Sequence, residues 1–591
     1  MTLIRKYATP LTLIAILFSA IAAPFLLPES PDSPVFRSGT LALILLMACF
    51  QPVSYALRHA DLRTLACSAV FGLLFASSLS LGAELCFYSG LLPGMGSMIR
   101  RLAVPVLAAP LLSGLAARVM LLRPRAEKRL QLSMGVYMAI LLLCWLPLLI
   151  AYYPGMFNYD FHTEYQQFLD GTWDARHPLL YIVITYAFYA LGRALDNPTL
   201  GILLVSLIRM VTFAAALAYS CTFVQRRAPR WVPLTAVGLY GLLPVFSVMA
   251  VSSAKDTPFT AAVLALSLLS WEALEDPKAF FADKRKISVF ILSIIFTWHM
   301  RKNGVAVLLM LPLLIAAAKG FRKKMTALCA TGAVLSALLV LGMNIALKPV
   351  EQPSFQTYSL PAQQLVRAYH KGDMTESEKE ELRSWYVDSN WGLQLLPHLA
   401  DAAKGSLDPD KLAQNGNAFL NLWARVGKKN LRVYTEAFLM LNIGSWYPDD
   451  QTHAIIYQPY GLDKGYLQTD EYDLSANGVK KSSLLPAVHQ LYEKICRRNI
   501  YLKYPVISQL LCTATPLWII LFACAALAAQ RKAKLCIAAS GVLALWISYQ
   551  LGPCTLTRYM LPLFCLAPVI TATALSQYSP CGCIPRDCHL L

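Results

Sequence analysis

The feature that most constrains this chain is its repeated long apolar runs. Fourteen can be read along the 591 residues, at 11–28, 39–57, 64–83, 102–121, 133–152, 199–224, 231–251, 257–273, 287–300, 304–318, 325–347, 506–529, 533–550 and 555–577. About 20 apolar residues is the length at which a helix crosses the bilayer while satisfying its own backbone hydrogen bonds. Only 15% of the residues are charged, against roughly a quarter in soluble domains. The expected fold is an all-α polytopic membrane protein with about 14 transmembrane helices. The runs 287–300 and 304–318 are short and are split by Arg301-Lys302-Asn303-Gly304, read as a tight external turn. A further run, 178–192, is short for a span and is expected to lie in the outer interface.

Charge placement orients these spans. With Arg5 and Lys6 inside and fourteen crossings, every basic cluster beside a short loop falls on the inner side. These are Arg58 and Arg63; Arg123, Arg125, Lys128 and Arg129; Arg226, Arg227 and Arg230; Lys278, Lys284, Arg285 and Lys286; Lys319, Arg322, Lys323 and Lys324; and Arg531, Lys532 and Lys534. That is the positive-inside rule, and it holds only if 178–192 does not cross. The expectation is a cell-membrane protein with both termini cytoplasmic. The first run also has the outline of a signal peptide, with Arg5-Lys6 before an apolar core and Ala20-Ile21-Ala22 after it. Pro24 close behind, with no soluble domain next in sequence, favours a retained span.

Five segments follow: an N-terminal module of four spans (1–125), a transmembrane core (133–347) with first external loop 153–198, an external domain (348–505), C-terminal spans (506–577) and a cytoplasmic tail (578–591). The formal net charge of +18 would ordinarily suggest a nucleic-acid partner. Here it is a topology signal: residues 348–505 hold 18 basic and 18 acidic residues, and the inner side holds 24 basic and 7 acidic. No basic run with interleaved aromatics occurs in an aqueous segment, so no nucleic-acid partner is expected.

The 348–505 segment has a globular, mainly helical composition. Thr375-Glu376-Ser377-Glu378 is a capping box opening a charged helix. Asn417 to Phe438 is an amphipathic candidate, for the membrane surface or for the domain core. The domain holds a single cysteine, Cys496, so no disulfide framework is expected. In the tail, Cys581, Cys583, Cys588 and His589 offer metal ligands without a zinc-knuckle spacing, and an unliganded reduced tail is expected.

Ionisable groups beside lipid are costly, which makes them candidates for function. The densest set follows the fifth span: Tyr153-Pro154-Gly155, Asn158, Asp160, His162, Glu164, Asp170, Asp174, Arg176 and His177-Pro178. Asp160 and Glu164 are four apart and share a helix face. Paired carboxylates there suit a general base, a metal ligand or a clamp on a substrate hydroxyl. The same outer face receives Ser252-Ser253-Ala254-Lys255-Asp256, then His299, Arg301 and Lys302, then Thr557-Arg558-Tyr559. Arg209 is a cation placed mid-span. Carboxylates with Lys and Arg at one water–lipid boundary suit an anionic lipid headgroup, the cations holding phosphate and a carboxylate activating a nucleophile. GxxxxGK[ST], HExxH, GxSxG and a dinucleotide fingerprint after a strand are all absent, which weighs against nucleotide-driven transport and hydrolase chemistry.

These residues resemble the GT-C superfamily of integral-membrane glycosyltransferases, which use polyprenyl-phosphate-linked sugars. Tyr153-Pro154-Gly155 with Asp160, then His177-Pro178 and the 178–192 helix, match that superfamily's order of an acidic first external loop and a semi-embedded helix. The likeness is closest to a bacterial branch with Tyr-Pro-Gly…Asp, His-Pro, Ser-x-Lys-Asp (Ser253 to Asp256) and Arg-x-Asn-Gly (Arg301 to Gly304) elements, and covers roughly 133–577. Arg558-Tyr559 and Pro562 resemble the external end of a late span. The resemblance implies a membrane glycosyltransferase taking a polyprenyl-phosphate-linked sugar to a glycan, lipid or protein acceptor. It implies Asp160 as base, with Glu164 as second carboxylate. His177, Lys255, Asp256, Arg301, Arg558, Tyr559 and Arg209 would bind substrate. The family's adjacent acidic pair is missing from the first loop, so the resemblance does not carry over a requirement for a divalent metal. The rival readings are a transporter or flippase of a lipid-linked or anionic substrate, and a non-catalytic membrane assembly protein.

Overall fold

The computed structural model describes residues 1–26, 39–122, 131–157, 159–174, 177–350, 355–449, 478–498, 504 and 507–576. Asn158, Arg176, the basic cluster 123–129 and the cysteines of the tail lie outside the described residues. Within them the chain folds into α-helices with a few 3-10 turns and isolated bridges, and no strand. Among the described residues eight helices are long and apolar enough to cross a membrane: Ala8–Leu26, Leu62–Tyr88, Met95–Met120, Met134–Ala151, Pro198–Gln225, Asp256–Glu275, Arg322–Leu347 and Thr557–Leu575. Trp231–Leu242 and Pro244–Val251 add a ninth if counted as one span, bent by 56°. The bend falls at Pro244, whose ring removes a backbone donor where an unbroken helix would need one. Shorter apolar helices are Leu179–Ala194, Gly304–Ala317, Thr515–Ala529 and Ala533–Tyr549. The protein is a multi-pass helical membrane protein.

The helix Asp256–Glu275 is the axis of the bundle. Some 89% of its apolar window is buried, so it is wrapped by other helices rather than by lipid. Its 20 residues span about 30 Å at 1.5 Å per residue. Charges cluster at both ends and are absent between. At its C-terminal end Glu272 pairs with Arg226 at 3.0 Å and Lys286 at 2.7 Å, and Glu275 pairs with Arg227. At its N-terminal end Lys255 meets Asp160 of the first loop, which Arg558 also reaches, and Asp256 meets Arg301. The loops expected inside and those expected outside thus gather at opposite ends of one buried helix.

Residues 355–449 build a helical subdomain with its own core, including Leu365, Leu382, Trp385, Phe419, Leu422 and Val426. The capping box forms: Thr375 Oγ1 accepts from Glu378 N at 3.2 Å, and Glu378 Oε2 accepts from Thr375 N at 2.9 Å. The 417–438 stretch divides into Pro409–Lys429 and Leu431–Leu441, because the Asn430 side chain turns to bond the backbone of Asp373. Its apolar residues Val426 and Tyr434 pack into the subdomain core, the second of the two placements open from sequence. The subdomain is held to the N-terminal helices by a buried pair. Arg367, 1% exposed, lies 2.9 Å from Glu436 and donates to Ser89 O at 2.8 Å. Residues 478–498 pack instead on the transmembrane core. Ser482 N donates to Tyr153 O at 3.2 Å, Leu484 N to Ile150 O at 3.3 Å, and Val479 and Cys496 are buried in that core.

Candidate functional site

The site begins with an aromatic ladder that no single motif announced. Phe157, Phe161, Tyr165 and Phe168 recur at helical spacing along Tyr159–Asp170. Phe161 stacks on Phe157 at 4.2 Å, and Tyr165 and Phe168 pack on Tyr189 at 5.1 and 5.5 Å. One face of this helix is therefore fixed against Leu179–Ala194. Asp160 and Glu164 are carried on the other face, because a four-residue step returns to the same side. Tyr186 strengthens the join by donating to Glu164 O at 3.1 Å.

The second wall is the segment before Asp256–Glu275. Met156 N donates to Val251 O at 3.2 Å and Ser253 N to Met156 O at 2.7 Å, tying this segment to the Tyr153–Phe157 turn. Tyr181 donates to Ser253 O at 2.8 Å. A Cβ on Gly155 would collide with Ser206, so the close approach of this turn to Pro198–Gln225 requires glycine. Held this way, Lys255 reaches into the cluster. Its Nζ is 3.0 Å from Asp160 Oδ2, 3.0 Å from His177 Nδ1 and 3.6 Å from Glu164 Oε1. Arg558 Nη1 comes within 3.4 Å of the same Asp160 oxygen from the start of the last helix.

Next to this network lies a second ion pair, Arg301 with Asp256, both nearly buried. The Arg301 guanidinium sits over the Tyr559 ring at 4.6 Å and near Tyr549 at 5.5 Å, positions that favour a desolvated cation. Eight of the nine residues singled out from sequence thus lie in one continuous cluster: Asp160, Glu164, His177, Lys255, Asp256, Arg301, Arg558 and Tyr559. Arg209 braces it from below. Its Nε and Nη1 donate to Val205 O, Tyr181 Oη and Ser252 O. His299 turns away, with Nε2 at 3.2 Å from Ser336 O, and Lys302 is exposed. Asp174 is buried beside Gln167. Tyr181, Tyr186 and Tyr549 were not anticipated; the aromatic spacing around Glu164 was the available signal for the first two.

The two carboxylates are electrostatically unlike. Burial would raise the Asp160 carboxyl, but Lys255, Arg558 and His177 together outweigh that cost and hold it well below the usual range. Its side chain is 26% exposed, so it is a reachable anion. Glu164 is 2% exposed, and burial, helped by the Asp160 charge and opposed by Lys255, pushes its pKa up to about 7. At neutral pH one carboxylate is fixed as an anion and its neighbour titrates, an asymmetry that suits proton transfer. A separate cavity of about 160 Å³ lies between the Tyr152–Phe157 turn and Lys481–Ser483, with His489 in its wall.

A protein-family model matches residues 170–580, which takes in His177, Lys255, Asp256, Arg301, Arg558 and Tyr559 and leaves out Asp160, Glu164 and the N-terminal helices. No curated protein and no solved structure matches the chain. With more than half its length covered by that match, the chain belongs to the DUF6020 family, a family of unknown function.

Proposed function

We propose that this protein is a membrane glycosyltransferase that moves a sugar from a polyprenyl-phosphate donor to an acceptor on the outer membrane face, with Asp160 as base. The observation that carries this reading is the placement of Asp160: an accessible carboxylate between two cations, Lys255 and Arg558, supplied by distant parts of the chain. The donor phosphate would enter on the side of Lys255 and Arg558, with Arg301 and Tyr559 beyond them. A carboxylate held by two cations is a weak base at rest. When the phosphate draws those cations, their hold on Asp160 weakens and its basicity rises. Asp160 then takes the proton of the acceptor hydroxyl as that oxygen attacks the anomeric carbon. The sugar–phosphate bond breaks, the lipid phosphate leaves as an anion on the two cations, and one-step displacement inverts the anomeric centre.

The proposed topology is fourteen crossings in the cell membrane, with both termini inside, the 355–449 subdomain outside and Leu179–Ala194 in the outer interface. Support comes from the separation of the two charged ends of Asp256–Glu275. The transporter reading needs a polar path at mid-depth. Arg209 instead directs its bonds to the floor of the site.

The test is Asp160→Asn in the purified full-length protein, supplied with polyprenyl-phosphate sugars and candidate acceptors. Loss of a general base predicts a fall in transfer of about 10²–10⁴-fold. Transfer at the wild-type rate would remove the assignment. Reporter fusions after residues 225 and 400 should report inside and outside respectively; an external signal at 225 overturns the topology.

A further inference from the structure

We propose that the Lys255 ammonium occupies the position a divalent cation would take in this centre, so that the site works with a built-in cation. The proposal deepens the glycosyltransferase reading and rests on it for the activity measurement alone. Asp160, Glu164 and His177 form a two-carboxylate, one-imidazole donor set of the kind that binds zinc or manganese. Two of the donors, His177 Nδ1 and Glu164 Oε1, are 3.4 Å apart. That is about the edge of a tetrahedron whose ligands lie ~2.1 Å from a central ion.

The centre of the set is filled by chain. Lys255 Nζ faces all three donors, with Asp160 and His177 both at 3.0 Å and Glu164 at 3.6 Å. Two of the ammonium's three N–H donors have partners at hydrogen-bond distance, Asp160 and His177, and Glu164 is met as an ion pair. An ion coordinated by these atoms would overlap Nζ, and Arg558 already adds a second positive charge on Asp160. As they stand around Nζ, these three side chains, like every other such trio among the described residues, are not arranged to hold an ion, so a metal would need them to close in on the space that Nζ fills. The lysine cannot easily withdraw. Its backbone is fixed by the Ser253–Met156 and Tyr181–Ser253 bonds, and the next residue, Asp256, is locked to Arg301. The donor set therefore does not fit a resident metal while Lys255 is in place. A lysine here would supply the charge stabilisation on a phosphate oxygen that a metal otherwise supplies.

The experiment titrates Mn²⁺ into the full-length protein in lipid nanodiscs, followed by electron paramagnetic resonance, with Co²⁺ absorption as a second readout. Wild type should bind no equivalent at this site. Lys255→Ala should gain one equivalent, with a histidine-ligated Co²⁺ spectrum, and the added substitution Asp160→Asn should abolish the gain. Lys255→Met, which keeps the stem volume, serves if the alanine variant does not fold. One equivalent bound to wild type and released by Asp160→Asn overturns the proposal. So does a folded Lys255 variant that gains no site. Transfer activity unchanged by a chelator supports it, and activity lost to the chelator and restored by Mn²⁺ overturns it. Absence of sugar transfer under every condition would sink the glycosyltransferase reading and leave the binding result standing.

Discussion

Glu164 makes a pH-dependent prediction whose sign is opposite to that of an ordinary carboxylate. Its pKa is 4.5 in the unfolded chain and about 7 in the fold, raised first by burial. A group raised on folding stabilises when protonated. Its contribution is complete below the unfolded value and is lost as pH rises through the folded one. The shift corresponds to about 3 kcal/mol, most of which disappears between pH 5 and pH 8.5 by linkage. Glu164→Gln keeps the shape and removes the proton. The measurement is unfolding free energy in mixed micelles of rising denaturing-detergent fraction, for wild type and Glu164→Gln, across that pH range. Titrating groups that do not interact with Glu164 are common to both proteins and cancel in the difference. Wild type should lose about 2–3 kcal/mol relative to the variant as pH rises. A difference that stays flat, or that grows in favour of wild type at high pH, would show Glu164 ionised at neutrality and refute the argument.

Two further outcomes are expected. Arg367→Met removes one of two cations on the buried Glu436 carboxylate and leaves the half-exposed Arg432 at 3.1 Å, at a cost of about 1–3 kcal/mol; limited proteolysis should cut within 355–449 sooner. The double variant Arg367→Met/Glu436→Leu should recover part of this, the rest being the Leu91 N–H that Glu436 accepted. Gly304→Ala would drive a methyl group into the Thr297 carbonyl oxygen and against Phe259, costing about 1–3 kcal/mol as overpacking. It should also reduce transfer by shifting the turn that carries Arg301. The control Gly342→Ala, which meets nothing, should lower neither thermal stability nor transfer, since Ala is favoured over Gly in a helix interior.

The apolar runs were legible because a bilayer imposes length and composition on every span, independent of neighbours. The helix breaks were less so. The run 39–57 folds as Gly39–Ala48 and Phe50–His59, with Cys49 between, and 231–251 bends at Pro244. A break inside a uniformly apolar run leaves hydropathy unchanged, and Pro at a first helical turn is tolerated. The 348–505 segment reads as one domain because its composition is globular between two runs of spans. The fold divides it, with 355–449 packed on its own core and 478–498 on the bundle.

For the site, the sequence by itself determined which residues were too expensive to leave beside lipid without a partner, and that they fall in loops sharing one side. Asp160, Glu164, Lys255, Arg301 and Arg558 all follow from that rule. Only the tertiary structure decided how they pair. Lys255 lies 95 residues from Asp160 and Arg558 lies 398 from it, and no local spacing encodes which cation meets which anion. Nor does sequence show burial, which separates Asp160, an accessible anion, from Glu164, a sealed and titrating acid four residues away. Charge type is a property of the residue. Ionisation and reach belong to the environment that other helices build around it.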